Sequence, residues 1–176
     1  MSNLRLLNET SATSVSTLNV TDVFSSDYDI YKISINEVDL NTGGGNATIQ
    51  IRYINVAGST VTDSDYDFAY HNVKSFSSFT VSQQQNGANI QGLAWLGDQT
   101  ADASGMYCYV FTPFNNGLVT MSLWSSSTAI VTGDKAYYTR GVGMLEHIAS
   151  MKGFELSLST GSFDTIKVST YGLRVD

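Results

Sequence analysis

The chain has 176 residues, 42% of them hydrophobic and only 14% charged, with a formal net charge of -7 and a pI near 4.6. Its charged fraction falls well below the roughly one-quarter usual for globular domains, so Ser, Thr, Asn and Gly must cover much of the surface, as in a strand-and-turn protein. The Lys and Arg residues are few and scattered, which leaves nothing to neutralise phosphates and excludes nucleic acid as an expected partner.

Residues Met1 to Leu7 lack the apolar core and small-residue cleavage site of a signal peptide. No later stretch approaches the roughly 18 apolar residues of a membrane span, so the expectation is a product of a cytosol without an export signal or a membrane partner. Strand signals run from Leu4 onward, and the first ~10 residues read as an extended anchoring arm of the domain. A weak strand signal follows at 14–20.

In Tyr31-Lys32-Ile33-Ser34-Ile35 the apolar residues share one face of a period-2 strand, and Ala47 to Tyr53 repeats the pattern. The intervening Asn41-Thr42-Gly43-Gly44-Gly45-Asn46 predicts a β-hairpin over 28–54. Weaker strands are predicted at 66–71, 76–82, 90–95 and 136–146. Met106 to Phe111 and Leu118 to Trp124 flank a turn, in which Pro113 pre-sets φ and Asn116-Gly117 tolerates positive φ, predicting a further hairpin. Met144 to Met151 is bracketed by Gly141, Gly143 and Gly153 and reads as a strand end plus one turn rather than a helix. Phe154 to Leu158 and Ile166 to Ser169, separated by Gly161, predict a closing hairpin.

About ten strands at short spacing predict an all-β chain, a single-domain antiparallel β-sandwich of jelly-roll type over 1–176. Unbroken apolar parities place Tyr31, Ile33 and Ile35, with Ile49, Ile51 and Tyr53 and with Phe154, Leu156 and Leu158, on the core faces.

Candidate chemistry is sparse. Asp63-Ser64-Asp65-Tyr66-Asp67 opens like a calcium loop, but Phe68 and Lys74 stand where an EF-hand needs Gly and Glu. His71 and His147 have no zinc-spaced partners, no Ser sits in a nucleophile elbow, and Gly43-Gly44-Gly45 lacks the Lys and helix start of a phosphate loop. No catalytic, metal or cofactor site is therefore expected, and the protein reads as non-enzymatic. The single Cys108 reads as a small core filler. Tyr66, Tyr70, Trp95 and Trp124 would suit a sugar-binding module if exposed, although in a sandwich such residues more often fill the core.

The strand at 106–111 is more informative, because Met106, Cys108 and Val110 take one face while Tyr107, Tyr109 and Phe111 take the other. A strand apolar on both faces is covered on both sides by its own chain, or on one side by another subunit. Tyr107, Tyr109 and Phe111 are accordingly the candidate partner-binding residues.

Two stretches carry a family resemblance. The first is Phe24-Ser25-Ser26-Asp27-Tyr28-Asp29-Ile30-Tyr31-Lys32-Ile33-Ser34-Ile35, followed by a Gly/Asn turn, Ile49 to Tyr53, and Asp65-Tyr66-Asp67-Phe68-Ala69-Tyr70. The second is the ending from Gly161 to Arg174, with its Gly-Ser-Phe opening and Tyr171-Gly172-Leu173 close. Together they resemble jelly-roll structural proteins of tailed-bacteriophage virions, which include capsid decoration or cement proteins, tail-associated proteins and fibre modules. The resemblance implies a virion location and partners such as the major capsid protein or other virion proteins. It also suggests a homotrimer, with no catalytic set to carry over. A tail-fibre or receptor-binding module and a carbohydrate-binding β-sandwich are the alternative roles. Tyr171 is expected to offer its ring to the core and its hydroxyl to a buried backbone group, with Gly172 permitting a bend.

Overall fold

A computed structural model describes residues 3–41, 46–76, 79–96, 103–115, 117–130, 135–147 and 149–174. Twelve strands run in chain order: β1 (Leu4–Val15), β2 (Thr17–Val20), β3 (Ile30–Asn41), β4 (Ala47–Asn55), β5 (Tyr66–Lys74), β6 (Thr80–Gly87), β7 (Trp95–Leu96), β8 (Ala103–Phe111), β9 (Thr120–Ile130), β10 (Lys135–Leu145), β11 (Met151–Leu158) and β12 (Ser162–Leu173). The described residues contain no helix, and so none long and apolar enough to cross a membrane.

The pairing is nested. β1 pairs with β12, β2 with β11, β3 with β8 and β4 with β7, all antiparallel, as in one long hairpin folded at its middle. That hairpin is then rolled up, because β12 also pairs with β3 and β11 with β4. Chain segments alternate between two sheets as a result, which is the jelly-roll arrangement. Two additions widen one sheet: β5 and β6 lie between β4 and β7 in sequence, β9 and β10 between β8 and β11. All four join the same sheet, giving the orders β1-β12-β3-β8-β9-β10-β5-β6 and β2-β11-β4-β7.

This topology corrects two sequence expectations. The segments at 28–54 are both strands, yet β3 and β4 lie in different sheets and do not form a hairpin; residues 42–45 between them lie outside the described residues. The closing pair, β11 and β12, is likewise split between the sheets. The physical reason is common to both: each strand pairs its backbone with a long-range partner while its apolar face meets the other sheet, and period-2 patterning reports the face but not the neighbour. The β8–β9 pairing matches its expected hairpin, with Gly117 at φ +106 in the turn, while Asn116 lies outside the described residues.

Smaller differences follow. Residues 4–15, which include most of the expected anchoring arm, are extended and hydrogen-bonded along β12. The strand expected at 90–95 is a covering segment, bridged at Ile51–Ile90, with only Trp95–Leu96 in a strand. Tyr171 does not reach the core: it lies half-buried on the outer face of the large sheet, and Gly172 serves close packing, since a Cβ there would lie 2.7 Å from the Tyr28 ring.

The core lies between the sheets. Tyr31, Ile33 and Ile35 face Ile49, Ile51 and Tyr53 and Phe154, Leu156 and Leu158, and all nine are buried, as the parities predict. Cys108 is buried among them. The phenols inside the core are bonded: Tyr66 accepts from the Tyr53 backbone N–H at 2.8 Å and donates to the Val61 carbonyl at 3.1 Å, while Tyr53 pairs with the Ser122 hydroxyl. The four-stranded sheet cannot cover eight strands. Over β9, β10 and β5 the segment 88–96 takes its place, with Trp124 Nε1 donating to the Gly92 carbonyl at 3.2 Å. Gly143 admits Ile90, whose Cδ1 would lie 2.7 Å from an added Cβ, and a Cβ at Gly141 would collide with the Trp124 ring.

Two predictions test this packing. Ile51→Asp, at the centre of the core, would leave an unpaired carboxylate in an apolar layer at a cost of several kcal/mol. The expected result is an unfolded or strongly destabilised protein by thermal melting; a melting temperature within a few degrees of wild type would contradict the parity.

The second concerns alkaline pH. Burial pushes the Tyr53 and Tyr66 phenols above their ordinary value of 10.0 and the Cys108 thiol from 9.0 to about 12. Above pH about 9 the unfolded chain releases these protons while the folded chain keeps them, so the unfolded state binds fewer protons. Stability is therefore full below that pH and falls as pH rises, by up to ~1.4 kcal/mol per pH unit per group. In a phenolate absorbance titration, the buried tyrosines should ionise only in a cooperative step that coincides with loss of near-ultraviolet circular dichroism. Ionisation of every tyrosine near pH 10 with the fold intact would contradict it.

Candidate functional site: the outer face of the eight-stranded sheet

The antiparallel register carries one cross-sheet row over all eight strands: Leu6, Tyr171, Lys32, Tyr109, Leu123, Val142, Ala69 and Gln83. Tyr109 and Lys32 pair directly, and Cys108 on the same strand points inward, so pleat alternation places this whole row on the outer face. One neighbouring row holds Tyr107, Ser125, Arg140, His71 and Val81; on the other side lies Phe111, Met121, Met144 and Asp67. Beyond the Tyr107 row come Gly105, Ser127, Tyr138 and Val73.

The structure therefore places Tyr107, Tyr109 and Phe111 together on one face. Tyr107 is 44% exposed, and Tyr109 and Phe111 are half-buried. Tyr107 meets the Tyr109 ring edge to face at 5.8 Å and carries the Lys32 ammonium 5.9 Å above its own ring. The sequence does not single out Met121, Leu123, Tyr138, Val142 and Val73, exposed apolar residues that continue the same face. Each sits on a strand of ordinary alternation, and register alone assembles them beside Tyr107.

The opposite side of the molecule differs in kind. The outer face of the four-stranded sheet presents the rows Asn19, Glu155, Arg52 and Thr17, Ser157, Gln50, with Arg52 Nη1 3.3 Å from Glu155 Oε1. The smaller sheet's outer face is mainly polar, whereas the larger sheet's outer face gathers a cluster of exposed aromatic and apolar side chains among polar and charged ones, its own Lys167–Glu9 pair included. Apolar patches of the second kind mark contact surfaces. Among the described residues, Lys32 and Arg140 have no carboxylate partner on the aromatic face, so a partner that supplied carboxylates would match it.

Other sequence candidates are dispersed. Trp124 and Tyr66 are buried in the core, and Trp95 stacks on Tyr137 at 6.2 Å, so the aromatics singled out for sugar binding form no common platform. His71 lies on the outer face of β5, whereas His147 follows β10. The loop ahead of β5 brings Asp63 and Asp65 to His147, with donor atoms all within 4.8 Å and Asp65 Oδ2 3.5 Å from His147 Nδ1. Asp67 is directed elsewhere, accepting the Asn86 backbone N–H at 2.8 Å, so the three-aspartate calcium loop does not assemble. The Asp65–His147 contact ties the loop to the end of β10 without need of an ion. EDTA is accordingly expected to leave the melting temperature unchanged, whereas a drop of several degrees would assign a structural cation to these three residues.

No family model matches the chain, and no curated protein sequence matches it. Solved structures that overlay on it include the Clostridium perfringens CspB protease, at 10% identity and a TM-score of 0.20 over 92% of this chain and 26% of that one. The VP2 subviral particle of infectious bursal disease virus overlays at 12% identity and a TM-score of 0.20, over 98% of this chain and 41% of that one. The Gt strain structure of that virus gives 14% and 0.16, over 97% and 41%. Proteins of a viral particle thus stand among its distant structural neighbours, and the chain spans less than half of each. Similarity at this level carries no functional argument, which rests instead on the chain's own surface.

Proposed function

We propose that the protein is a non-enzymatic structural component of a virion, a capsid decoration or cement protein that docks through the outer face of its eight-stranded sheet. The observation that carries this reading is the contrast between the two outer faces: aromatic and apolar around Tyr107, Tyr109 and Phe111, polar and self-paired around Arg52 and Glu155. The resemblance of residues 24–70 and 161–174 to tailed-phage virion jelly rolls supports the setting. A major capsid protein or another virion protein is the partner this face would take, with apolar side chains opposite Leu123 and Val142 and carboxylates opposite Lys32 and Arg140. Rigid aromatic anchors beside cationic side chains are what concentrate binding energy at such contacts.

The role can be tested by adding purified protein to particles assembled without it. Tyr107→Lys combined with Leu123→Lys alters only exposed positions, so its melting temperature should stay within a few degrees of wild type. Its affinity for the particle should fall at least about tenfold, the loss of one ordinary contact of ~1.4 kcal/mol. Undiminished binding by this variant, or loss of binding only when Asn19 and Gln50 on the other sheet are replaced by Lys, would contradict the assignment.

A receptor-binding module is the second reading, favoured by one feature: a shallow depression on the same face between Tyr107 and Tyr138, floored by Ser34, Asn36 and Ser125. A glycan array separates the two, and no specific glycan is the expected outcome.

A further inference from the structure

Four strands close the two sheets, and three of them carry devices that discourage pairing with another chain. β2 and β7 are four and two residues long. β1 is long, but it bears Arg5 and Glu9, a register shift between Leu6 and Asn8, and Ser14 at φ +55. Short length, charge and irregular backbone are the usual protections of an open sheet edge. β6 has few of them. It is eight residues long, TVSQQQNG, and the run from Ser75 to Gly97 around it contains no charged residue and no Pro, in a chain of net charge -7. Its irregularities, a register shift opposite Tyr66/Phe68 and Asn86 at φ +53, fall at its far end and leave Thr80 to Gln84 regular. The two most exposed large hydrophobic residues of the described chain, Phe79 at 67% and Val81 at 68%, lie at this edge.

We infer that β6 is a docking edge whose occupant is β6 of a second copy, joined antiparallel about a two-fold axis into one continuous sheet. The open edge presents a row of backbone N–H and C=O groups that only another extended strand satisfies along its length. A second copy fits for two reasons. Two acidic molecules approach with least repulsion where neither carries charge, and antiparallel self-pairing of Thr80 to Gln84 sets Thr80 opposite Gln84, Val81 opposite Gln83 and Ser82 opposite its own copy, with no like charges face to face. Pairing β6 with β1 instead would be head-to-tail and open-ended, whereas β6 with β6 closes after two copies. The inference is independent of the virion role, and it gives a dimer where the family resemblance suggests a trimer.

The test is sedimentation equilibrium of the 176-residue chain from about 1 to 200 μM, which spans ordinary weak to moderate affinities. Wild type should dimerise. Val81→Lys with Gln83→Lys, both exposed positions, should weaken dimerisation at least about tenfold with an unchanged melting temperature, as should Val81→Glu with Gln83→Glu. Mixing the Lys and Glu proteins should restore a dimer, because opposite charges then meet across the pair. A monomeric or trimeric wild type would overturn the inference. So would a Lys variant that dimerises like wild type, or a mixture that stays monomeric. The Tyr107→Lys, Leu123→Lys protein should dimerise normally, which separates failure of this edge from failure of the docking face proposed above.

Discussion

The unequal width of the two sheets is the constraint on which the rest of the structure depends. A four-stranded sheet covers only part of an eight-stranded one, so the inner side of β9, β10 and β5 needs another lid. The segment from Asn89 to Leu96 supplies it, with Ile90, Leu93 and Ala94 buried and Trp124 bonded to Gly92. Glycines at 141 and 143 keep the floor beneath low enough for Trp124 and Ile90 to fit. The widening also doubles the outer face. In an eight-stranded jelly roll the row through Tyr109 would end at β8; here it continues through Leu123, Val142 and Ala69 to the free edge at Gln83.

That extension gives the molecule a direction. Both sheets bury their inner faces in one core, yet only the larger has an outer face with Tyr107, Tyr138, Leu123 and Val142 in the open. Burying such side chains against a partner yields on the order of 25 cal/mol per Å2 of apolar surface removed from water. The smaller sheet offers mainly Asn, Gln, Thr, Ser and an Arg–Glu pair that is already satisfied, so docking there would exchange one set of polar contacts for another. The physical asymmetry, more than any single residue, supports the contact role.

Strand identity and inward parity were legible in the sequence because both are local properties of alternation: Tyr31, Ile33 and Ile35 announce a buried face without reference to their neighbours. Sheet membership was not legible. β3 and β4 are joined through a Gly-rich segment that looks like a hairpin connection, but their partners lie 47 or more residues away in β7, β8, β11 and β12. β1 reads as an extended arm without a defined partner because LRLLNETSATSV is an edge strand with one shoulder in solvent, so its burial is partial. At the site, Tyr107, Tyr109 and Phe111 could be singled out because β8 is apolar on both faces by itself. Val73, Tyr138 and Val142 could not, since only the register of β5, β9 and β10 sets them beside Tyr107.

The most direct measurement is tyrosine footprinting of the protein free and in its assembled state. Residue-resolved labelling should show Tyr107 and Tyr138 reactive in the free protein and protected on assembly, with Lys152 on β11 of the smaller sheet reactive to amine reagents in both. Protection of Lys152 with Tyr107 and Tyr138 unchanged would place the contact on the wrong side of the molecule and contradict the account.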